Sequence, residues 1–280
     1  MNALEIKGLR KSYPGFCLED LNLVLPCGCI MGLIGENGAG KTTTMKLILD
    51  MIRKDEGSIT ILGRDNQDQI RLTKEEIGVV LDEPGLPECL NVRQVGRMMK
   101  HIYANWDGEE YSRLIERLDL PERKPFKDFS RGMKMKLGIA IALSHHSRLL
   151  LLDEATTGLD PVVRDGVLEL FNDFTRQESN SILFSSHIVS DLEKLCDYIA
   201  FLHKGRLLLC EEKDRLLEEY GLVHCTAGEL EGIPEEAIRM KQVNPYGMEV
   251  MVRREGLPSQ VPVSPISIEE LFVFMVKEAG

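Results

Sequence analysis

The chain has 280 residues, 43 % of them hydrophobic and 28 % charged, which is the composition of an ordinary globular protein. Its length allows one large domain, or a large domain with a small appendage. The net charge of −11 argues against nonspecific nucleic-acid binding, which needs a basic face, so we expect no nucleic-acid partner. No run approaches the roughly 18 apolar residues that span a bilayer, so any membrane role must come through a partner.

The cysteines indicate a reducing compartment. There are seven, an odd number, and none forms a C-x-x-C pair. Cys27 and Cys29 have no second Cys or His pair near them in sequence, so a structural role is favoured over metal binding. The first residues contain Glu5 and no long apolar core, unlike a signal peptide. We therefore expect a cytoplasmic protein.

The chain begins with a strand pattern. From Leu4 to Leu25 the residues favour short strands, with a turn signal at Tyr13-Pro14-Gly15 and an end at Pro26. The apolar run from Cys29 to Ile34 is typical of a buried strand.

A phosphate-binding loop follows this strand. Its sequence fits G-x-x-x-x-G-K-[ST], in which glycines let successive N–H groups face one anionic ligand. Lys41 can then reach the β- and γ-phosphates, while the Thr42 hydroxyl can bind Mg²⁺. Apolar residues between Thr43 and Asp50 predict a helix whose positive end meets the phosphate. The nucleotide-binding residues predicted here are Gly35, Glu36, Asn37, Gly38, Ala39, Gly40, Lys41, Thr42 and Thr43.

The middle of the chain changes from strands to helices. Residues 57–63 and 77–81 read as strands, with a polar loop and a short helix between them. Amphipathic patterns then predict three helices, at 92–103, 109–118 and 133–143. A helical subdomain is therefore expected at about 85–147.

Two acidic residues follow the apolar run Leu149–Leu152. Asp153 at a strand end could hold Mg²⁺, and Glu154 could orient or deprotonate the attacking water. The alternative is a strand that merely ends in solvent-facing acids. The phosphate loop upstream favours the functional interpretation.

Strands and helices alternate again after this point. A helix from Pro161 to about Gln177 precedes a strand at 181–184, and residues 199–209 predict a hairpin. Residues 213–280 differ in pattern and predict a small α/β accessory domain. Its last helix has a capping box, Ser267-x-x-Glu270.

Residues 1 to about 212 resemble the ATP-binding cassette (ABC) family. Segment 155–161 is similar to the family's D-loop and contains Asp160. Segment 129–133 stands where the signature LSGGQ belongs, with Ser130 and Gly132 in matching positions. His187 matches the family's switch histidine and Tyr13 its adenine-stacking aromatic residue. Taken singly, such a histidine is more often a cap or core residue, and such a tyrosine a packing residue.

The resemblance implies an architecture and a mechanism. The fold is then an α/β P-loop NTPase: a mixed-sheet core, an N-terminal antiparallel β subdomain and an α-helical subdomain, with residues 1–212 as the ATP-binding domain. Two cassettes, which we expect to be identical, pack head-to-tail around ATP. Ser130 and the backbone near Gly132 of one chain face the γ-phosphate bound to the other.

Two positions depart from the family pattern. Asp82 stands where the family usually has a glutamine that contacts Mg²⁺, and we expect altered metal affinity or coupling. Arg131 replaces a glycine of the signature, and its side chain should point away from the nucleotide or form an ion pair elsewhere. Because the phosphate loop and Glu154 are intact, we expect an active ATPase with catalytic residues Lys41, Glu154 and His187.

The leading functional hypothesis is an ATPase subunit of an exporter whose permease is a separate chain. The subunit would lie on the cytoplasmic face of the cell membrane and dock through the helical part near residues 84–105. Met98, Met99, Ile102 and Tyr103 could form an apolar docking surface or simply pack in the core. Two alternatives stay open: a soluble single-cassette ATPase of cofactor or cluster assembly, and a nucleotide-binding regulator without turnover.

Overall fold

The computed structural model describes residues 1–68, 70–81, 85–244 and 247–279. The strands in these ranges are β1 (Asn2–Tyr13), β2 (Phe16–Pro26), β3 (Ile30–Ile34), β4 (Glu56–Ile61), β5 (Arg64–Asp65), β6 (Ile77–Val80), β7 (Leu149–Asp153), β8 (Ser181–Ser185), β9 (Tyr198–His203), β10 (Arg206–Glu212), β11 (Tyr220–Cys225), β12 (Ile238–Asn244) and β13 (Gly247–Arg253). The helices are α1 (Lys41–Ile48), α2 (Ile70–Glu75), α3 (Val92–Ile102), α4 (Gly108–Arg117), α5 (Arg131–Leu143), α6 (Pro161–Thr175), α7 (Val189–Leu195), α8 (Lys213–Glu219), α9 (Ala227–Leu230) and α10 (Ile268–Ala279).

An antiparallel sheet is built from the start of the chain, with strand order β2-β1-β4-β5. The predicted turn at residues 13–15 is confirmed, since Tyr13 pairs with Phe16 across it. The strands are longer than predicted, at 12 and 11 residues. Register shifts between Ile6 and Leu9, and between Leu9 and Lys11, interrupt the alternation of apolar residues. Because each bulge shifts the alternation of side chains by one residue, a long strand with bulges does not show a continuous period of two in its sequence.

The central sheet has the strand order β10-β9-β3-β8-β7-β6. Neighbours from β6 to β9 pair in parallel, and β10 closes the predicted hairpin antiparallel to β9. Every residue of β3, β7 and β8 is buried, as is typical of strands covered on both faces. The carboxyl ends of these three strands meet at one edge, which is where open α/β sheets place their ligands.

The helical region (residues 85–147) carries the three predicted helices. Asn91 and Gln94 form a capping box at the start of α3, and the Asp107 carboxylate caps α4. Met98 and Met99 pack into the core, and the Tyr103 ring stacks on His145 with centroids 4.0 Å apart. Ile102 stays 54 % exposed. Core packing therefore accounts for most of the apolar residues that could have formed a docking surface.

The C-terminal part contains a three-stranded antiparallel sheet, in the order β11-β13-β12, together with α10. Val223, Val250 and Val252 belong to a small core of its own. Leu271 and Phe274 of α10 instead join the main core of the molecule. The division into residues 1–212 and 213–280 remains a prediction, because apolar packing continues across this boundary.

Together these parts confirm the predicted α/β class with an antiparallel β subdomain and a helical region. Among the residues that the structure describes, no helix combines the length and apolarity needed to cross a membrane.

Candidate functional site: a phosphate-binding cleft

The loop between β3 and α1 is folded tightly by its glycines. Gly38 and Gly40 have φ angles of +83° and +115°, which other residues rarely adopt. Gly35 is required for space rather than for its φ angle, since a Cβ there would lie 2.5 Å from the Leu202 carbonyl oxygen. The Ala39 N–H donates to the Glu36 carbonyl at 3.1 Å and closes the turn. The backbone therefore forms the predicted concave loop.

Helix α1 begins without a side-chain cap. Gly40 is its N-cap residue and makes no side-chain hydrogen bond. The N–H groups of the first helical turn have no intrahelical acceptors, and the helix dipole adds positive potential there. This helix end can accept an anion.

Lys41 is buried at the base of the loop, with a side chain only 6 % exposed. Its Nζ donates to the Gly35 carbonyl at 2.7 Å and to the Glu36 carbonyl at 3.3 Å. The same Nζ lies 3.8 Å from Glu154 Oε1. The loop backbone thus holds the ammonium group in place, between the loop and the acidic residue after β7.

Asp153, 1 % exposed, ends β7 beside the phosphate loop. Its Oδ2 accepts from Thr42 Oγ1 at 2.7 Å, and its Oδ1 accepts from Ser185 Oγ at 2.5 Å. The predicted Thr42–Asp153 pair is therefore assembled. Sequence reasoning missed Ser185, although its place at the end of the adjacent parallel strand was a usable signal.

Glu154 has a left-handed backbone with φ of +55°, which is uncommon for a residue with a side chain and marks a constrained position. Its N–H donates to the Ser185 carbonyl at 3.0 Å. Its Oε2 accepts from Thr157 Oγ1 at 2.8 Å and lies 2.6 Å from His187 Nδ1. The structure thus brings Glu154 and His187 into contact across the ends of β7 and β8.

These groups border one cleft of about 860 Å³, a volume typical of small-molecule sites. Sequence reasoning did not include Phe16 and Thr157 among its lining residues. Arg131, whose side chain we expected to point away from a nucleotide or to form an ion pair elsewhere, also borders the cleft. Tyr13 is not among these residues; its ring lies 5.4 Å from Lys11 Nζ, and its adenine contact remains a prediction. The lining residues are Gly15, Phe16, Glu36, Asn37, Gly38, Gly40, Lys41, Thr42, Thr43, Arg131, Asp153, Glu154, Thr157 and His187.

The signature segment lies beside the D-loop segment of the same chain. Ser130 Oγ accepts from the Met133 N–H at 3.2 Å and caps α5. A Cβ on Gly132 would lie 3.3 Å from the Gly158 carbonyl oxygen. Asp160 accepts from the Val163 N–H at 3.1 Å and caps α6. Asp82 lies outside the described residues.

The residues present fit both predicted ligands. A hydroxyl and a carboxylate, from Thr42 and Asp153, are the hard oxygen ligands that Mg²⁺ prefers. The uncapped start of α1 and the Lys41 ammonium suit a polyphosphate. A phosphate loop after one parallel strand and an acidic pair after another define a P-loop nucleotide-binding protein.

Comparisons with known proteins agree with this class. A protein-family model described as ABC transporter matches residues 18–157. Lantibiotic transport ATP-binding protein SrtF of Streptococcus pyogenes is 37 % identical over 214 residues, which cover 75 % of this chain and 91 % of that protein. Nod factor export ATP-binding protein I of Rhizobium leguminosarum bv. viciae is 32 % identical over 256 residues, covering 89 % and 81 %.

A solved structure described as the ATP binding subunit of an ABC transporter is also similar. It superposes with a TM-score of 0.70 at 31 % identity and covers 76 % of this chain and 91 % of that one. The chain therefore belongs to the ABC transporter family. It is an ATP-binding subunit that hydrolyses ATP. These comparisons do not support the alternatives of a cofactor-assembly ATPase or a regulator without turnover.

Proposed function

We propose that this chain powers export of a substrate through a separate membrane permease, by closing on a second copy of itself when ATP binds. One observation carries the proposal. Lys41, Thr42, Asp153 and Glu154, which come from separate parts of the sequence, border one cleft at the carboxyl edge of the central sheet. The export direction is supported by the name of one relative above, Nod factor export ATP-binding protein I.

In this proposal the phosphate loop holds the β- and γ-phosphates of ATP. The N–H groups at the start of α1 and the Lys41 ammonium bind the phosphate oxygens. Thr42 and Asp153 would hold Mg²⁺. When bound, this ion neutralises phosphate charge and orients the γ-phosphoryl group for in-line attack.

Glu154 and His187 then act on the water side of the γ-phosphate. Glu154 orients the attacking water and takes its proton. The 2.6 Å contact to His187 Nδ1 fixes the direction of the carboxylate. The imidazole can also hydrogen-bond the γ-phosphate and so report its presence to Glu154.

The adenine end of ATP lies towards the antiparallel sheet in this proposal. Phe16 borders the cleft and would lie within 3.0 Å of a Cβ on Gly40. Tyr13 stands at the other end of the same turn and is partly exposed. An aromatic ring on this side would stack on the base.

A dimer supplies the second half of each site. The start of α5, with Ser130 and Gly132, would face the γ-phosphate bound to the partner subunit, and Asp160 would lie along the joint between the chains. Both halves are present in one sequence, which favours two identical subunits. Loss of the γ-phosphate after hydrolysis would remove the link and let the subunits separate.

The helical region offers a surface for the permease on the cytoplasmic side of the membrane. A groove of about 650 Å³ lies between α3 and α4. Arg93, Arg97 and Lys100 follow one face of α3, and Trp106 borders the same groove. Arg93 forms an ion pair with Glu122 on the same groove, so Arg97 and Lys100 add positive charge to a lining that is otherwise largely apolar and aromatic. The surface therefore suits a permease segment that carries both apolar and acidic residues.

Copurification from membranes tests the proposal. With the candidate permease expressed, we expect the chain in the membrane fraction and an ATPase rate that rises when permease is bound. Lys41→Ala should abolish both ATP binding and the ATPase rate, while permease binding persists. A chain that hydrolyses ATP but never cofractionates with a permease would contradict the export role and leave the ATPase assignment intact.

A further inference from the structure

The turn between β9 and β10 packs against the back of the phosphate loop. The Gly205 N–H donates to the Ala39 carbonyl at 3.0 Å. The Leu202 carbonyl lies so close to Gly35 that no side chain fits between them. The hairpin therefore packs directly against the loop. This support rests on backbone groups at both ends of the loop.

A side-chain contact joins the same two segments. His203 Nδ1 lies 3.3 Å from Glu36 Oε2. The His203 side chain is only 6 % exposed, whereas the Glu36 side chain is 58 % exposed and borders the cleft. Neither ring nitrogen of His203 has a hydrogen-bond partner among the described residues. Buried polar groups seldom lack a partner, so the 3.3 Å contact to Glu36 is the interaction that this imidazole has available.

Glu36 occupies a sensitive place in the loop. Its carbonyl accepts from the Ala39 N–H, which closes the turn, and from Lys41 Nζ. Its carboxylate, however, is an anion at the mouth of a site that takes a polyanion. Like charges a few ångströms apart repel, and the repulsion grows where water is excluded. An uncompensated carboxylate here would oppose ATP binding.

We propose that His203 is a positioning residue for ATP binding, which holds the Glu36 carboxylate away from the phosphates and offsets its charge. The inference rests on the proposed function of this cleft. It assigns the β9–β10 hairpin a direct effect on nucleotide affinity through one side-chain pair. His203 itself touches no reacting atom.

A double-mutant cycle tests the proposal, with every protein carrying Glu154→Gln so that bound ATP persists. The dissociation constant for MgATP is measured by calorimetry. We expect His203→Gln to weaken binding about three- to tenfold, the scale of a partly exposed contact to a charged group. Glu36→Gln should bind at least as tightly as its parent, and the double variant should match Glu36→Gln.

Two further variants separate positioning from structure. His203→Asn keeps a nitrogen donor near the place of Nδ1 and should recover part of the affinity. His224→Gln removes an imidazole that lies 3.9 Å from Glu249, in the C-terminal sheet, and should leave MgATP binding unchanged. An equal loss from His203→Gln with and without Glu36→Gln, or no loss at all, would overturn the inference. Failure of the Glu154→Gln parent to bind MgATP would instead contradict the proposed function.

Discussion

Helices α1 and α5 both begin where the proposed mechanism needs a phosphate, yet their first turns differ. At α1, Gly40 leaves the first N–H groups without a side-chain cap. At α5, Ser130 Oγ already accepts from the Met133 N–H. The first helix end is therefore open to an anion in a single chain, whereas the second already bonds one of its free N–H groups within its own chain.

This difference indicates an order of events. The phosphate loop and the strand ends, joined by the Thr42–Asp153 and Asp153–Ser185 hydrogen bonds, are assembled before any partner arrives. In the proposed dimer, a γ-phosphate at the α5 end would meet a turn in which the Met133 N–H already bonds Ser130 Oγ. A single chain should thus bind ATP, whereas the proposed dimer forms only when two chains meet.

The largest expected effect comes from changing Glu154 in the phosphate-binding cleft. Glu154→Gln removes the proposed base and the charge that faces His187, while the amide keeps the shape of the side chain. The ATPase rate should fall about 10²- to 10⁴-fold, with MgATP affinity retained. Steady-state phosphate release and equilibrium binding measure the two quantities. Glu178→Gln, an exposed acid far from the cleft, serves as the control and should keep the parental rate.

Gly40→Ala tests whether the start of α1 needs the left-handed backbone of Gly40 to bind nucleotide. A Cβ there would sit 3.0 Å from Phe16 Cζ at a φ of +115°. Strain of about 1–3 kcal/mol should appear as a lower free energy of unfolding, together with weaker MgATP binding. Gly166→Ala is the matched control, because nothing lies within 4 Å of its Cβ inside α6. It should stabilise the protein by roughly 0.5–1 kcal/mol. Equal effects at the two positions would contradict this account.

Ser130→Ala probes the self-capped helix end. The lost cap should reduce the free energy of unfolding by about 1 kcal/mol. MgATP binding to the single chain should be unchanged, but ATP-driven dimerisation should weaken. Asn91→Ala removes the cap of α3 and should cost a similar stability without affecting the dimer. Chemical denaturation and light scattering distinguish the two variants. A Ser130→Ala protein that dimerises normally would show that Ser130 only caps α5.

The smallest expected effect concerns a buried histidine within the helical region. Burial lowers the pKa of His145, which stacks on Tyr103. The unfolded chain therefore binds a proton that the folded chain resists, and stability should fall as pH drops below about 6.5. The slope is at most about 1.4 kcal/mol per pH unit. His145→Phe keeps a stacking ring and should flatten this dependence between pH 7.5 and 5.5 in denaturant titrations. An unchanged slope would exclude His145 as its source.

The sequence predicted the parts of the site that depend on local patterns. The glycine spacing around Lys41 predicts a phosphate-binding loop, and the acids after an apolar run predict a metal and water site. Each pattern spans only a few residues. The contacts of Asp153 with Ser185, and of Glu154 with Thr157, depend instead on which strands are neighbours. Strand order is a long-range property that no local pattern records.

The antiparallel sheet and the α3 surface illustrate the other failures. Bulges in β1 interrupt the period of two and made a long strand read as short ones. On α3, Met98, Met99 and Ile102 fit either a docking surface or a core, and the structure packs both methionines into the core. The basic face of the helix emerged only once Arg93, Arg97 and Lys100 lay beside the groove.

One measurement tests the central claim most directly. Glu154→Gln protein is followed by light scattering with MgATP, with MgADP and without nucleotide. We predict twice the 31.6 kDa mass of the single chain in MgATP alone. A single-chain mass in saturating MgATP, even with the permease present, would contradict ATP as the link between two copies.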